Sequence, residues 1–539
     1  MNNSPMKRIS RGRFKGWVRE EMLPLLPSSF FIDPPLAIQE MNAKVLRESR
    51  LRWAAIFYLP NQQRIFLKRD RTKGWFESVK YLILPSKARK EWFIAHQLHR
   101  RNLYVPRPLG WMEKIQRGMV QESYYLSEAV GSGVSFIEEC SKSGDPPLVS
   151  ELANTVKKIH KAGLFHRDLH AGNFLWEGET FFLTDLHSAK ISRGLSLSQR
   201  LWNLAYLFHS LRSVWGEEEH SKFLEVYLEG ESFDPRKKER ALKKIHSWMS
   251  RLQRKQWRSR TKRCLKESSE FSVQKRKGVY YYHRRDFPLE VLKQRVEEHL
   301  RLAEGRPSDL IKCSPEITVS ILENGGRHLI VKQYRPGKYW RSFKEHFRRS
   351  KGMKAWIAGN GLSVRGIPSL KPLGLVERTS WSGLNESSFL MEVSDRDQEL
   401  DRYILKNLGD FKERRSFIKA FAKWLCHYHQ LSLYHQDMKT CNMMVSKAGG
   451  GWNFHLLDLE DVRLDEKVGE KQIFKSFLEL NTSTPKMVTT TDRFRFLRAY
   501  LRLNPIVKDR KSFLRRLIYE SKRRGLVYVA PWGVVTEKL

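Results

Sequence analysis

The sequence predicts an α+β protein made of two tandem copies of one two-lobed domain. Two observations lead to this prediction: the chain is similar to itself at a fixed offset, and each copy runs from strand patterns into helix patterns. The length of 539 residues also exceeds that of one compact domain. We expect domains at residues 1–265 and 266–539, each with a small antiparallel sheet followed by a mostly helical lobe.

The internal repeat becomes visible when the chain is shifted by 264 residues. Residues 86–113 then align with residues 350–377 without a gap, with 10 identities in 28 positions. Further along, YHQDMKTCN at 434–442 repeats FHRDLHAGN at 165–173. Self-similarity of this kind indicates two copies of one fold. The 264-residue offset also pairs single residues: Lys68 with Lys332 and Glu128 with Glu392.

The order of elements in the first copy follows from its residue patterns. Residues 1–43 carry several prolines and predict an irregular or partly helical entry. The runs RWAAIFYL and RIFLKRD, separated by a polar turn, predict a hairpin. A helix is predicted from Ser86, followed by strands at 105–113 and 123–130 and a helix at 149–161.

Positive charge is the outstanding feature of the composition. The net charge of +40 attracts polyanions, which include nucleic acid, anionic lipid and phosphorylated glycolipid. Residues 236–266 hold fourteen Lys or Arg against one acid, and apolar residues recur there at helical spacing, which predicts an amphipathic basic helix. This helix is either an ordinary one with a solvated cationic face or a surface that meets anionic lipid.

Other classes of protein are disfavoured. No apolar run is long enough to span a membrane, and the N-terminal residues lack the apolar region of a secretory signal. The five cysteines show neither paired spacing nor a metal-binding pattern, which suits a reducing cytoplasm. No base-reading motif or aromatic and basic platform for single strands is present, so nucleic acid is a disfavoured partner.

The stretch from Leu164 to Lys190 carries the chemistry. Asp168 precedes Asn173 by five residues in a polar loop, and Asp185 follows after a short apolar run. Phosphoryl transfer uses one carboxylate to accept the proton of the attacking hydroxyl, while an amide and a second carboxylate hold Mg²⁺. We therefore assign Asp168 as the catalytic base, and Asn173 and Asp185 as magnesium ligands. The order of these residues matches the catalytic and metal loops of protein kinases.

Lys68 ends an apolar strand 100 residues before Asp168. In kinases, a lysine at this place binds the α- and β-phosphates of ATP and pairs with a glutamate on the next helix. Glu91 is the natural partner, and Glu128 lies at the position of the hinge beside the nucleotide. The alternative is a strand lysine that snorkels toward any nearby acid.

The second copy repeats this set with differences. Ala355 stands at the position of Glu91, so Lys332 needs another acid, and Glu345 is a possible substitute. Gln436 replaces the arginine of the His-Arg-Asp motif. The second copy is therefore either an active kinase or a nucleotide-binding regulator. Its corresponding residues are Asp437 as base, Lys332 and Glu392 for the nucleotide, and Asn442 and Asp458 for Mg²⁺.

Two glycine signals of protein kinases are missing. The first hairpin turn of the first copy has no glycine, and His187 and Glu460 occupy the glycine position of the Asp-Phe-Gly motif. These departures disfavour a eukaryotic-type protein kinase. They favour kinase-like enzymes that act on sugars and other small acceptors.

The motifs ILPSKARKEW, VPRPLGW, FHRDLHAGNFL and TDLHSAK resemble the bacterial lipopolysaccharide kinases, the Kdo and heptose kinase family of the inner core. The resemblance covers residues 45–210, and residues 308–465 less closely. It implies a protein-kinase-like fold that uses ATP and Mg²⁺ to phosphorylate a core sugar hydroxyl of lipid A-core. It also implies peripheral contact with anionic membrane at the cytoplasmic face of the inner membrane.

Two rival functions remain open. The first is a small-molecule kinase of the aminoglycoside or choline phosphotransferase type, which would not need so much positive charge. The second is a tandem pseudokinase scaffold, for which the loss of Asp168 would leave function intact.

Overall fold

The structure is a computed structural model that describes residues 4–131, 136, 148–231, 234–305, 310–335, 349–380, 383–393 and 397–539. The chain divides into two compact units, Met1–Gln253 (unit 1) and Arg254–Leu539 (unit 2). Each unit contains a seven-stranded antiparallel sheet followed by a lobe built mainly of helices. The predicted α+β class with two tandem two-lobed domains is confirmed.

The sheet of unit 1 has the strand order β1-β2-β6-β7-β5-β4-β3. Its strands are Met6–Arg11 (β1), Phe14–Arg19 (β2), Lys44–Glu48 (β3), Arg52–Tyr58 (β4), Arg64–Arg71 (β5), Pro108–Gln116 (β6) and Met119–Glu128 (β7). In β5, Ile65 and Leu67 are buried against the N-terminal segment. Because side chains alternate along a strand, Phe66 and Lys68 face the other side of the sheet, and Phe66 packs against the core of the helical lobe.

The expectation of an irregular entry over residues 1–43 is wrong at its start, because β1 and β2 form a hairpin at the edge of the sheet. Phe14, Gly16 and Val18 alternate as buried residues in β2. A Cβ at Gly16 would lie 2.2 Å from the carbonyl oxygen of Trp111, so glycine permits the close pairing with β6. Pro24, Pro34 and Pro35, on which the expectation rested, follow this hairpin in short helical turns.

The helices of unit 1 include those that the sequence predicted at Ser86 and at 149–161, and among the further ones is a helix at 75–83. The helices are Pro34–Ala37 (α1), Trp75–Ile83 (α2), Lys87–His99 (α3), Leu148–Lys161 (α4), Leu197–Leu211 (α5), Glu217–Leu228 (α6) and Pro235–Thr261 (α7). Four short strands lie between α4 and α5: Leu164–His166 (β8), Phe174–Glu177 (β9), Thr180–Leu183 (β10) and Ala189–Ile191 (β11).

The basic amphipathic helix predicted from residue 236 is confirmed as α7. Ile245 and Leu252 are buried on one side, whereas Lys243, Lys244 and Arg251 are exposed. The division between the compact units falls within this helix. In the part of the chain that the structure describes, no helix combines the length and the apolar character needed to cross a membrane.

The sheet of unit 2 repeats the strand order of unit 1, as β12-β13-β17-β18-β16-β15-β14. Its strands are Phe271–Arg276 (β12), Val279–Arg284 (β13), Lys312–Cys313 (β14), Ile317–Glu323 (β15), His328–Tyr334 (β16), Lys371–Ser380 (β17) and Gly383–Val393 (β18). The later strands are Gln398–Glu399 (β19), Leu433–His435 (β20), Met443–Ala448 (β21), Gly451–Leu456 (β22), Val462–Leu464 (β23), Leu526–Ala530 (β24) and Gly533–Glu537 (β25). The helices are Leu289–Gly305 (α8), Lys351–Val364 (α9), Leu400–Asn407 (α10), Phe411–Gln430 (α11), Glu470–Ser483 (α12), Thr490–Leu503 (α13) and Arg510–Arg524 (α14).

Both helical lobes contain a buried histidine that contacts a tyrosine hydroxyl. His160 Nδ1 lies 2.7 Å from the hydroxyl oxygen of Tyr227, and His429 Nδ1 lies 2.7 Å from that of Tyr500. Burial lowers the pKa of His160 to about 4 and the pKa of His429 to about 3. Both imidazoles are therefore neutral in the folded protein at physiological pH.

Acid should destabilise unit 1 through His160. Below pH 6.5 the unfolded chain protonates this histidine, but the folded chain does not until about pH 4, so stability falls as the pH falls. Between pH 6.5 and 4.5 this coupling is worth roughly 2 kcal/mol for one such histidine. The His160→Gln variant should show a correspondingly smaller loss of unfolding free energy in urea titrations at the two pH values.

Candidate active site

Lys68 connects the sheet of unit 1 to its first long helix. Its Nζ lies 2.9 Å from Glu91 Oε2 on α3, a helix capped by the Ser86 hydroxyl, which accepts a hydrogen bond from the backbone N–H of Arg89. Lys68 Nζ also donates to Asp185 Oδ1. Burial by itself would lower the pKa of Lys68, but Glu91 and Asp185 more than offset this and hold the pKa above its ordinary value. The lysine is therefore a buried cation held by two carboxylates.

Asp185 follows β10 in the left-handed backbone region, at φ 58°. Aspartate tolerates this region better than most residues, and the turn brings the carboxylate toward Lys68. His187 Nδ1 lies 2.7 Å from Asp185 Oδ1. Burial would raise the pKa of Asp185, but the contacts with His187 and Lys68 outweigh it and lower the pKa. Since both contacts use Oδ1, the second oxygen has no hydrogen-bond partner within the described part of the chain.

The loop with Asp168 and Asn173 is held by backbone contacts. Asn173 Nδ2 donates to the carbonyl oxygen of Asp168 at 3.0 Å. His166 Nε2 lies 3.1 Å from the carbonyl oxygen of Asp185, and His166 Nδ1 accepts from the Asp168 N–H at 3.3 Å. His166 thereby joins this loop to the Asp185 turn. Asn203 on α5 holds the strand before the loop, with its Nδ2 2.6 Å from the His166 carbonyl oxygen.

A cavity of about 220 Å³ in unit 1 lies against these residues. Its polar lining includes Lys68, Glu91, Asn173 and Asp185. Glu128 also lines the cavity, and its carboxylate contacts Gln63 Nε2 at 3.0 Å and Arg107 at 3.1 Å. The apolar lining belongs mainly to the sheet and to the strands below it: Leu46, Trp53, Ile56, Phe66, Leu175 and Leu183. A cavity whose lining is largely apolar but also includes a lysine and carboxylates suits a nucleotide, because its base and its phosphates need different surroundings.

The donor set fits a hard divalent cation. Mg²⁺ prefers carboxylate and amide oxygens. Asp185 supplies a carboxylate that is about one-third exposed, and Asn173 supplies an amide oxygen from the same cavity wall. Glu91, Asp185 and His187 also bring possible ligand atoms within 4.8 Å of one another. The carboxylate and amide oxygens among them are the kind of ligand atoms that Mg²⁺ prefers.

Unit 2 assembles a similar site around Lys332. Its Nζ lies 2.6 Å from Asp458 Oδ1 and 2.7 Å from Glu460 Oε1. Burial would lower the pKa of Lys332, but Glu460 and Asp458 raise it above its ordinary value. Asn442 Nδ2 donates to the carbonyl oxygen of Asp437 at 2.9 Å, which repeats the loop geometry of unit 1. Glu392, on β18, pairs with Arg327 at 3.3 Å.

Glu460 is the functional residue that sequence reasoning missed. Because position 355 is alanine, Lys332 needs an acid from another part of the chain. Glu460 provides this acid from the turn after Asp458. The proposed substitute, Glu345, lies outside the described residues. Glu460 stands where unit 1 has His187, so the acid has moved from the helix to the turn. The only signal in the sequence was the pair of changes itself: an acid lost at 355 and one gained at 460.

The catalytic loop of unit 2 also differs in its charges. Lys439 lies where unit 1 has His170, and its Nζ is 2.9 Å from Asp437 Oδ1. Gln436, which replaces the arginine of the motif, accepts a hydrogen bond from Arg463 at 2.5 Å. The Asp437 carboxylate is therefore neutralised by a lysine of its own loop.

A family model for lipopolysaccharide kinases (Kdo/WaaP) matches residues 37–227 and 318–500, well over half of the chain. The chain belongs to this family. It is therefore a kinase, and one match falls in each unit.

Curated relatives cover about a third of this chain each. The lipopolysaccharide core heptose(I) kinase WaaP of Escherichia coli K12 is 26% identical over an alignment of 218 residues, which covers 35% of this chain and 80% of the relative. The enzyme of the same name from Pseudomonas aeruginosa PAO1 is 27% identical over 217 residues, covering 36% of this chain and 81% of the relative. The 3-deoxy-D-manno-octulosonic acid kinase of Stenotrophomonas maltophilia R551-3 is 27% identical over 191 residues, covering 35% and 68%.

Among solved structures, WaaP in complex with acyl carrier protein matches with 22% identity and a TM-score of 0.31. The match covers 42% of this chain and 96% of that one.

The role of Glu460 can be tested by transferring the acid to position 355, which corresponds to Glu91 of unit 1. In a Lys68→Met background, where unit 1 is impaired, Glu460→Gln should weaken binding of a non-hydrolysable ATP analogue to unit 2. Loss of a charged hydrogen bond corresponds to roughly tenfold or more in the dissociation constant, measured by isothermal titration calorimetry. Adding Ala355→Glu should restore binding, and adding Ala355→Gln should not. Equal affinity in all four proteins would contradict the assignment.

Proposed function

We propose that unit 1 transfers the γ-phosphoryl group of ATP to a sugar hydroxyl, of Kdo or heptose, in the inner core of lipopolysaccharide. The arrangement that supports this most directly is Lys68 held by Glu91 and Asp185 in the wall of a cavity. In this proposal Lys68, positioned by Glu91, binds the ATP phosphates, and Glu128 lies beside the base. Bound Mg²⁺, held by Asn173 and Asp185, would neutralise the phosphate oxygens.

Asp168 is assigned as the base that accepts the proton of the acceptor hydroxyl. The contacts of its loop support this role, because Asn173 and His166 hold the backbone on both sides of Asp168. Asp185 and Asp168 thus act from two loops that His166 keeps together. Positioning of this kind is most of what phosphoryl transfer requires from a protein.

The acceptor class rests on the relatives and on charge. The relatives named above are kinases of heptose and of 3-deoxy-D-manno-octulosonic acid. A net charge of +40 favours an anionic glycolipid such as lipid A-core over a neutral soluble acceptor. The enzyme would then work at the cytoplasmic face of the inner membrane, in peripheral contact with anionic lipid.

Unit 2 is proposed to bind nucleotide through Lys332, with Glu392 near the adenine ring. In the same proposal Asn442 and Asp458 would be the Mg²⁺ ligands, and Asp437 would be the general base. The two carboxylates that contact Lys332 support its role as the phosphate-binding lysine, although position 355 is alanine.

The domain boundary proposed from sequence, 265/266, assigns all of α7 to the first domain.

The acceptor can be tested by direct assay. Purified lipid A-core should become phosphorylated when the full chain, ATP and Mg²⁺ are present, with the phosphate located by mass spectrometry. Aminoglycosides, choline and free sugars serve as alternative acceptors at matched concentration. If any soluble acceptor is phosphorylated as fast as lipid A-core or faster, that acceptor replaces the proposed substrate. If ATP is consumed with none of these acceptors, the result favours the scaffold alternative.

The two bases can be compared in the same assay. Asp168→Ala should lower the rate of phosphoryl transfer roughly 10²–10⁴-fold, the usual contribution of a general base, with little change in ATP binding. Asp437→Ala is the matched change in unit 2. A loss as large as that of Asp168→Ala would show that both units take part in transfer, and no loss would make unit 2 a regulator. Unchanged transfer in Asp168→Ala would overturn the assignment of the base.

A further inference from the structure

Helix α2 exposes a run of large apolar side chains. Ile83 is 88% exposed, Phe76 73%, Trp75 64% and Leu82 61%, and Val79 and Leu84 are also exposed. The rings of Trp75 and Phe76 stack with their centroids 3.7 Å apart. Single exposed apolar residues are ordinary, but a contiguous group of this kind marks an interaction surface. We call these six side chains the α2 face.

The α2 face is carried by a well-anchored helix. Ser78 is buried beneath it, with its hydroxyl 3.2 Å from that of Thr72. The Thr72 N–H donates to the carbonyl oxygen of Gln121 at 3.0 Å, which fixes the start of the segment to β7. Glu77 accepts from the Lys73 N–H at 2.7 Å and from the Tyr81 hydroxyl at 3.1 Å. The apolar side chains therefore point outward from a held backbone.

The exposed charged side chains of the segment that carries the α2 face are basic. They are Lys73, Lys80 and Arg89. From Thr72 to Lys90 the sequence contains one acid, Glu77, and its carboxylate is engaged by the backbone of Lys73, by Tyr81 and by Lys87 at 3.4 Å. An apolar surface that includes Trp and Phe and has a cationic edge matches the interfacial region of an anionic bilayer.

We propose that the α2 face inserts into the surface of an anionic lipid bilayer and holds unit 1 there. This inference rests on the proposed function, since it supplies the contact that a glycolipid kinase needs. A second copy of the chain is a poorer occupant, because a two-fold pairing would bring the cationic edges of both copies together. α2 begins seven residues after Lys68 and ends eight residues before Glu91. Lipid contact at α2 would therefore be next in sequence to the segments that carry Lys68 and Glu91.

The second copy of the sequence keeps a similar composition at the same place. At the 264-residue offset, Tyr339, Trp340, Phe343 and Phe347 align with Trp75, Phe76, Val79 and Ile83. These four residues lie outside the described part of the chain, so the similarity is one of sequence alone.

Vesicle binding tests the proposal on the full chain without nucleotide. Co-sedimentation with vesicles of phosphatidylethanolamine and phosphatidylglycerol should fall at least about tenfold in partition coefficient for Leu82→Ser/Ile83→Ser, since two large apolar side chains no longer insert. Lys73→Glu/Lys80→Glu should reduce the preference for these vesicles over phosphatidylcholine, since it reverses the charge beside the α2 face and leaves the basic side of α7 unchanged. Ile32→Ser/Leu36→Ser, at positions 74% and 63% exposed elsewhere in unit 1, is the matched control and should bind as the native chain does.

Three outcomes would overturn the proposal: unchanged vesicle binding by Leu82→Ser/Ile83→Ser, an equal loss in the control, or loss of self-association alone in sedimentation velocity. Activity separates this inference from the proposed function. Leu82→Ser/Ile83→Ser should phosphorylate deacylated core oligosaccharide at the native rate and glycolipid in vesicles more slowly. If the native chain phosphorylates neither, the proposed function fails, while vesicle binding still decides the role of the α2 face.

Discussion

The contact of a buried lysine with two carboxylates organises each unit. A buried ammonium group is costly unless charges of opposite sign lie against it, and removal of one partner leaves an uncompensated charge. In unit 1 the three groups come from β5, α3 and the turn after β10, so the contact joins the sheet to the helical lobe. In unit 2 the lysine comes from β16, and both carboxylates come from one turn. The cavity and the loops around it depend on this contact for their relative positions.

The two units show which part of the site tolerates change. The lysine, the aspartate after the strand, and the loop with aspartate and asparagine are present in both. The second acid is not tied to one place, because Glu91 reaches its lysine from a helix and Glu460 from a turn. What the lysine requires is a second negative charge within contact distance, and backbone position is secondary. As a result, α9 contributes an apolar residue at this position, because Ala355 packs in the hydrophobic core of unit 2. The corresponding residue of α3 in unit 1 is Glu91.

The excess of positive charge is distributed over several elements of the chain. α7 presents a long cationic side, and α2 combines exposed apolar residues with basic neighbours. These are different surfaces with different physics: the first attracts anions at long range, whereas the second gains from the burial of apolar area. A kinase that meets its substrate at a charged surface benefits from both, and neither depends on a membrane-spanning helix.

The sequence by itself determined the class of fold, the repeat and the order of most elements, because periodicity and motif spacing are local properties. It failed for the β1–β2 hairpin, where prolines further along the segment masked a short alternation. Only the tertiary structure decided that Glu460 pairs with Lys332, since residues 128 positions apart meet through the fold. It also decided that α2 points its apolar residues outward, because the same residues in a helix pattern predict a buried face equally well. Partners and exposure are properties of the packed chain, and local patterns do not contain them.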